Sequence, residues 1–140
     1  MYLEVRIELL QQAKQILQSY FGYEVFRDGQ QQAIDSILKG QDTLVVMPTG
    51  GGKSLCYQVP ALTLPGTTIV ISPLISLMKD QVDMLRSNGV QAAFINSSIS
   101  YEEAEDVLYQ ARMGHLKLLY IAPERLENES FCMTLTQLHV

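Results

Sequence analysis

The segment from Met47 to Ser54, Met-Pro-Thr-Gly-Gly-Gly-Lys-Ser, constrains the fold more than any other stretch of the chain. Three consecutive glycines can adopt backbone conformations that a Cβ would forbid, so successive N–H groups can converge on one anion. An apolar run, Leu44-Val45-Val46, precedes this segment, and a segment that can be helical follows it. Strand, glycine loop and helix in this order predict a phosphate-binding loop for a nucleoside triphosphate.

Two side chains at the end of the loop supply the chemistry. Lys53 offers a mobile cation for the β- and γ-phosphates, and the Ser54 hydroxyl is a hard oxygen ligand suited to Mg²⁺. The strict pattern G-x-x-x-x-G-K-[ST] fails at its first position, where Met47 stands. The alternative interpretation is a flexible glycine turn with an exposed lysine. The rest of the predicted nucleotide-binding loop is Thr49, Gly50, Gly51 and Gly52.

Composition indicates one globular domain with a hydrophobic core. The chain has 140 residues, of which 47% are hydrophobic and 18% charged, and no apolar run approaches the length of a membrane span. The N-terminus lacks the layout of a signal peptide, so we expect a cytoplasmic protein, associated with the nucleoid if it is bacterial. Cys56 and Cys132 are far apart and form no CxxC pair, which argues against a disulfide framework or a zinc site.

The net charge of −5 gives no support for a protein that coats nucleic acid. Any contact with DNA must therefore come from a local surface or from parts of the protein outside this chain. His115 and His139 have no partners at ligand spacing, and we expect both to be surface residues.

Alternation of strand and helix signals predicts the α/β class with a parallel sheet. Local signals also place helix ends: Asp28 with Gln31 and Ser100 with Glu103 as capping boxes, and Ser72 as an N-cap. Pro60 is expected to end the helix after the glycine loop. Strands are predicted at residues 42–47, 67–71, 91–95 and 117–122, and helices at 2–20, 28–40, 53–60, 72–87, 100–113 and from 123 onward.

The aromatic stretch from Phe21 to Gln30 allows two interpretations. On periodicity alone, its aromatic residues belong to the core. In the functional interpretation, the Gln30 amide pairs with the edge of adenine, while Tyr23 or Arg27 stacks on the base.

Polar residues that follow the later strands allow two interpretations as well. Ser72, Ser76 and Lys79 lie where a helix starts after a strand, so they can hold a phosphodiester chain or simply cap a packing helix. Asn96-Ser97-Ser98 follows the next strand at the same edge of the sheet. Arg125 can form a salt bridge, anchor the backbone or contact a phosphate.

Four segments resemble the early motifs of RecQ-type DNA helicases, in that family's order and at similar spacing. Met47 occupies the same place in that family, which accounts for the failed strict match. The resemblance runs from about Phe21 to Val140. It rests on residues 21–30, on 47–54 with the continuation Leu-Cys-Tyr-Gln-Val-Pro, on 71–81 and on 119–126.

This resemblance implies a RecA-like P-loop NTPase fold and residue roles. Tyr23, Arg27 and Gln30 would clasp adenine, and the loop with Lys53 and Ser54 would hold the phosphates of ATP and Mg²⁺. It also implies movement in the three-prime to five-prime direction on single-stranded and partly duplex DNA, in repair and recombination. The residues that it places along DNA are Ser72, Pro73, Leu74, Ser76, Lys79, Asn96, Ser97 and Arg125.

One part of a phosphoryl-transfer site is missing from the sequence. Such a site needs an acidic residue that holds Mg²⁺ and orients water, but this chain has no Asp-Glu dipeptide. We therefore expect the amino-terminal portion of a first motor domain, truncated before the Asp-Glu-Ala-His motif. Within it, residues 1–40 would form a helical lead-in and 41–140 a partial RecA-like sheet.

Two other functions remain open at this level. A small P-loop kinase would need catalytic arginines in a lid, and a non-catalytic binding module would use the sheet edge without needing Lys53. The sequence does not indicate the oligomeric state. It predicts no membrane partner.

Overall fold

The computed structural model describes residues 2–50 and 52–140. The chain divides into two compact units, the first ending at Pro65 and the second beginning at Gly66. Gly51, one of the predicted loop residues, lies outside the described residues. No helix of the described ranges is both long enough and apolar enough to cross a membrane.

Helices make up the regular structure of the first unit. They are α1 (Tyr2–Phe21), α2 (Gln30–Leu38) and α3 (Leu55–Thr63). Strands and helices alternate in the second unit. Its elements are β1 (Thr68–Ile71), α4 (Ile75–Ser87), β2 (Ala92–Ile95), α5 (Tyr101–Arg112), β3 (Leu118–Ile121), a 3₁₀ helix (Pro123–Glu127) and α6 (Glu129–Leu135).

The core of the first unit joins its three helices. Ala13 and Leu17 of α1 meet Ile34 of α2 and Val59 of α3, and all four are at most 1% exposed. Ala13 and Leu17 are one turn apart on α1, so they lie on the same face of the helix. Tyr20, three residues after Leu17, is exposed.

Charged side chains connect α1 and α2 at the surface. The Arg6 guanidinium donates two hydrogen bonds to the Asp35 carboxylate, which also accepts from Lys39 one turn along α2. Lys39 and then Arg6 hold the pKa of Asp35 below its usual range. The two cations therefore keep this carboxylate ionised and tie the helices together.

The strand predicted at residues 42–47 is wrong. These residues run without regular secondary structure, and they join no β-ladder within the described part of the chain. Leu44 is 92% exposed and Val46 is 86% exposed. Apolar sequence alone predicted a buried central strand, but a strand also needs a hydrogen-bonded neighbour.

The prediction that Pro60 ends the helix after the glycine loop is wrong. Pro60 is buried inside α3, which continues to Thr63. A proline in a helix removes one hydrogen bond, that of its own nitrogen. Here the next turn closes normally, because the Leu64 N–H donates to the Pro60 carbonyl at 2.8 Å.

The sheet of the second unit is parallel and has the order β1-β3-β2. Thr68 and Ala92 both pair with Leu118, and the registers run in step to Ile71, Ile95 and Ile121. The central strand β3 is fully buried along its length. This confirms the α/β class with a parallel sheet, and three of the four predicted strands form.

One face of this sheet packs against α5 and α6. Leu119 and Ile121 of β3 contact Ala104 and Leu108 of α5 and Phe131 of α6 in one apolar cluster. Phe131 is buried, but Leu126, in the same predicted last helix, is 37% exposed. It lies in the short 3₁₀ helix rather than in a continuous last helix.

Of the three helix N-caps predicted from the sequence, one is correct. The predicted capping box is confirmed at α5: the Ser100 hydroxyl accepts from the Glu103 N–H, and the Glu103 carboxylate accepts from the Ser100 N–H. The backbone donor of Ser100, and then its side chain, lower the pKa of Glu103.

The other two predicted caps are wrong. Gly29, not Asp28, precedes α2, in the left-handed conformation at φ 84° that glycine adopts without strain. Helix α4 begins at Ile75, after Leu74, rather than at Pro73. Ser72 still fixes the turn, because its hydroxyl accepts from the Leu74 N–H at 3.2 Å.

Candidate nucleotide and nucleic-acid sites

The glycine loop lies between residues 41–48, which have no regular secondary structure, and α3. Gly50 and Gly52 have φ values of 80° and 77°, in the left-handed region that favours glycine. Ser54 directly precedes the first residue of α3, so the loop ends at a helix N-terminus. The sequence predicted a strand, a glycine loop and a helix in this order. The loop and the helix are present, but residues 42–47 do not form a strand.

Lys53 is exposed, and its ammonium group donates to the Met47 carbonyl at 3.2 Å. The Lys53 side chain therefore folds back toward Met47, at the start of the loop. Among the described residues its acceptor is this neutral carbonyl, so an incoming triphosphate, a stronger acceptor, can take its place.

Met47 packs against the start of α2. A Cβ placed on Gly29 would lie 3.1 Å from the Met47 methyl carbon. The methionine that breaks the strict loop pattern therefore fills space beside the glycine that precedes α2. Sequence reasoning gave Gly29 no role, but its position directly before the adenine-motif glutamine was a usable signal.

Gln30 connects the predicted adenine motif to the glycine loop. It is 1% exposed, its Oε1 accepts from the Arg27 N–H at 2.8 Å, and its Nε2 donates to the Gly52 carbonyl at 3.0 Å. A Cβ on Gly52 would lie only 2.3 Å from that Nε2. Both polar ends of the Gln30 amide are therefore occupied by protein backbone.

Arg27 makes a second connection to the same loop. Its Nη1 donates to the Gly50 carbonyl at 2.7 Å. Tyr23 is half-exposed, and its ring lines a cavity of about 490 Å³ together with Arg27, Gln30, Gly50 and Gly52. Glu24, Val25 and Leu55 complete the wall.

The cavity brings together the predicted adenine residues and part of the predicted phosphate loop. Its volume falls in the range of small-molecule sites. Lys53 and Ser54 do not line it; they directly follow the lining residue Gly52 along the chain, at the start of α3. The residues predicted for the base and those predicted for the phosphates are therefore connected through Gly52.

The chemistry of the residues fits a magnesium nucleotide. Magnesium is usually bound through one or two protein oxygens and substrate phosphates, rather than in a cage of protein ligands. Among the residues that the structure describes, no three His, Cys, Asp or Glu side chains cluster as metal ligands. Ser54 stays the predicted protein oxygen for Mg²⁺ on this loop.

The predicted nucleic-acid residues of the second unit gather where its strands end. Ser72 follows β1, Asn96 follows β2, and Ala122 leads from β3 into the 3₁₀ helix that contains Arg125. Parallel strands bring these carboxyl ends to one edge of the sheet. Pro73, Leu74, Ser76, Lys79 and Ser97 are all exposed near it.

Asn96 is an internal connector rather than an exposed group. It is 0% exposed; its Oδ1 accepts from the Ser98 N–H at 2.8 Å, and its Nδ2 contacts the Met78 sulfur at 3.4 Å. Arg125 Nη2 donates to the Asn96 carbonyl at 3.1 Å. This hydrogen bond gives Arg125 a backbone-anchoring contact, and its contact with a phosphate stays a prediction.

Lys79 forms an ion pair with Asp83, one turn further along α4. The Asp83 carboxylate raises the pKa of Lys79, mainly through their hydrogen bond. Sequence reasoning missed Asp83, although the i,i+4 spacing of opposite charges on a predicted helix could have found it.

Comparison with known proteins gives consistent matches. The model of the DEAD/DEAH box helicase family matches residues 27–138. The chain is 56% identical over 119 residues to an ATP-dependent DNA helicase RecQ from Haemophilus influenzae, covering 85% of this chain and 19% of that protein. A RecQ of the same name from Bacillus subtilis is 53% identical over 133 residues, covering 94% of this chain and 22% of the relative.

A more distant relative is the ATP-dependent DNA helicase Q1 of Rattus norvegicus, 42% identical over 123 residues, covering 86% of this chain and 20% of the relative. The chain spans about a fifth of the length of these relatives. The family match covers most of the chain and includes both Arg27 and Arg125. The chain therefore belongs to the DEAD/DEAH box helicase family, and the resemblance of its motifs to RecQ-type helicases is confirmed.

Proposed function

We propose that this chain supplies the ATP-binding loop and part of the DNA-contacting edge of a RecQ-type helicase. The full-length protein would couple ATP hydrolysis to three-prime to five-prime movement on DNA and to its unwinding, in repair and recombination. The observation that carries the proposal is the pair of hydrogen bonds from Arg27 and Gln30 to the Gly50 and Gly52 carbonyls. They physically join the predicted adenine motif to the predicted phosphate loop.

Each predicted nucleotide residue has a role in this proposal. Tyr23 and Arg27 line the base end of the cavity, and Lys53 stabilises negative charge on the transferring phosphoryl group. Ser54 would hold Mg²⁺, which would neutralise negative charge on the phosphates. Gln30 keeps one N–H and one oxygen lone pair beyond its two backbone hydrogen bonds, so it would read adenine while still holding Gly52. Base binding would then be felt directly at Gly52.

The second unit would hold single-stranded DNA along the carboxyl edge of its sheet. Ser72, Ser76 and Lys79 offer hydroxyl and ammonium donors to phosphates, and Ser97 is exposed on the adjoining loop. Asn96 and Arg125 would act from inside, holding that loop in place. The net charge of −5 makes such a local surface necessary, since the chain as a whole repels DNA.

The decisive experiment is Lys53→Ala in the full-length protein. We expect loss of DNA-stimulated ATP hydrolysis by at least about 100-fold, because a charge that stabilises the transition state is removed. Circular dichroism and thermal unfolding should match the parent protein, since the Lys53 side chain is exposed.

Lys14→Gln is a suitable control, because Lys14 is an exposed cation on α1. ATP hydrolysis at the parent rate in the Lys53→Ala protein would refute the phosphate-loop role. Binding of DNA by that protein with no response to ATP in either parent or variant would favour a non-catalytic module.

A further inference from the structure

A pocket lined by basic residues lies at the amino-terminal edge of the second unit's sheet. The proposed DNA contacts lie at the opposite edge of that sheet. The pocket has a volume of about 370 Å³ and opens next to the residues that precede all three strands. The strands are four residues long, so the two edges are separated by about 13 Å at ~3.3 Å per residue. We call it the amino-edge pocket; its basic residues are Arg112, His115, Lys117 and His139.

Basic side chains from several elements line this pocket. Arg112 ends α5, Lys117 directly precedes β3, and His139 follows α6. Among the residues that the structure describes, no aspartate or glutamate lines the pocket. A chain with 15 acidic and 10 basic residues thus places two permanent cations and both of its histidines around one concavity.

Local helix stabilisation does not explain this arrangement. A cation in the last turn of α5 is favoured by the helix dipole, which accounts for Arg112 alone. Lys117 and His139 belong to other segments. The described part of the chain offers the side chains of Arg112 and His139 no hydrogen-bond or ion-pair partner.

The walls of the pocket are held by backbone contacts. The buried Thr67 hydroxyl donates to the Leu116 carbonyl at 2.7 Å, and the Thr67 N–H donates to the His139 carbonyl at 2.8 Å. A Cβ on Gly66 would lie 2.6 Å from that His139 carbonyl oxygen. The backbone therefore fixes His139 against the start of β1, with its ring at the pocket wall.

We propose that the amino-edge pocket binds a phosphate-bearing anion. Guanidinium, ammonium and imidazole groups are the protein donors that recognise phosphate, and their mutual repulsion is relieved by a bound anion. The anion is either a free phosphate compound or a phosphodiester of DNA. This site is independent of the glycine loop and of the residues proposed to lie along DNA.

Binding of inorganic pyrophosphate to the full-length protein tests the proposal, measured by calorimetry in a Lys53→Ala background that removes binding by the glycine loop. We expect saturable binding, and Arg112→Gln should weaken it about tenfold because one charge-assisted contact is lost. Lys14→Gln removes an equal charge from exposed α1 and should change the affinity by less than about twofold. His139→Gln provides a second variant at an exposed side chain.

Absence of binding in the Lys53→Ala background would overturn the proposal, and so would equal losses in Arg112→Gln and Lys14→Gln. Two supporting outcomes distinguish the sources of phosphate. If DNA is the ligand, single-stranded DNA competes with pyrophosphate, and Arg112→Gln lowers the salt slope of DNA binding by about one. If a free anion is the ligand, pyrophosphate binds unchanged in the presence of saturating DNA.

Discussion

The Gln30 side-chain amide has two roles, one in holding the glycine loop and one, as proposed, in binding adenine. In the structure it donates to Gly52 and accepts from the Arg27 backbone, while the proposed function also requires it to read adenine. An amide has one acceptor oxygen and two N–H donors, so one N–H remains for the base even while the other stays on Gly52. Recognition of the base and the shape of the phosphate loop therefore depend on the same side chain.

We expect Gln30→Ala in the full-length protein to weaken ATP about tenfold, the value of one to two buried hydrogen bonds, and to weaken GTP less. Gln31→Ala, at the exposed neighbour on α2, is the matched control. Equilibrium titration with fluorescent ATP and GTP analogues measures both affinities. The same preference for ATP over GTP in variant and parent would refute the adenine role.

Lys79 forms an ion pair with Asp83, so the Asp83 carboxylate competes with any DNA phosphate for the Lys79 ammonium group. Asp83→Asn should free the ammonium group and tighten single-stranded DNA binding about two- to fivefold, the usual range for an exposed ion pair. Fluorescence anisotropy at several salt concentrations measures this effect.

Asp106→Asn makes the same charge change at an exposed site on α5 and serves as the control. Equal tightening in both variants would mean that net charge, rather than release of Lys79, controls DNA affinity.

Residue types were easier to predict than residue orientations. Lys53 and Arg125 were identified by type and neighbours, and Lys53 is indeed exposed on the loop. That Asn96 is buried, and that Arg125 donates to its carbonyl, depends on how the 3₁₀ helix packs beside the end of β2. No local pattern encodes that packing, because the two residues are 29 positions apart.

At the scale of elements, the glycine loop and α2 form one working unit. Gly52→Ala should be far more damaging than a usual glycine change, because its Cβ would meet Gln30 Nε2 at 2.3 Å and its φ of 77° strains any L-residue. We expect loss of ATP binding by at least about tenfold, with the strain alone costing about 1–2 kcal/mol.

Gly50→Ala is the informative comparison, since it has a similar φ of 80° but no atom within 4 Å of its Cβ position. Titration with a fluorescent ATP analogue follows both variants. If the two lose ATP affinity equally, backbone strain rather than contact with Gln30 explains the effect.

Elements that are specified locally were predicted well, and elements that need distant partners were not. The Ser100 capping box depends on four consecutive residues, and it forms as predicted. The strand at residues 42–47 needs a paired neighbour, and Leu44 and Val46 are instead exposed. The start of α2 falls between these cases: Asp28 has the right chemistry, but Gly29 supplies the positive φ that the turn requires.

At the scale of the whole molecule, residues 1–140 carry one half of the proposed ATP site. We expect this segment alone to release no phosphate from ATP and to unwind no DNA, because its sequence has no Asp-Glu dipeptide to hold Mg²⁺ and orient water. Leu44 and Val46 should also promote association of the isolated segment. Phosphate release and light scattering measure the two effects, and steady ATP turnover by the purified segment would contradict the first.

The strand order β1-β3-β2 determines when the sheet can form during synthesis of the chain. The strand that holds the sheet together is the last of the three to leave the ribosome, since Ile71 must wait for Ile121, 50 residues later. At about 5–20 residues per second this delay lasts about 3–10 s. Throughout it, β1 and β2 have no strand to pair with in the native register. Nascent chains of this unit should therefore be most dependent on chaperones until β3 emerges.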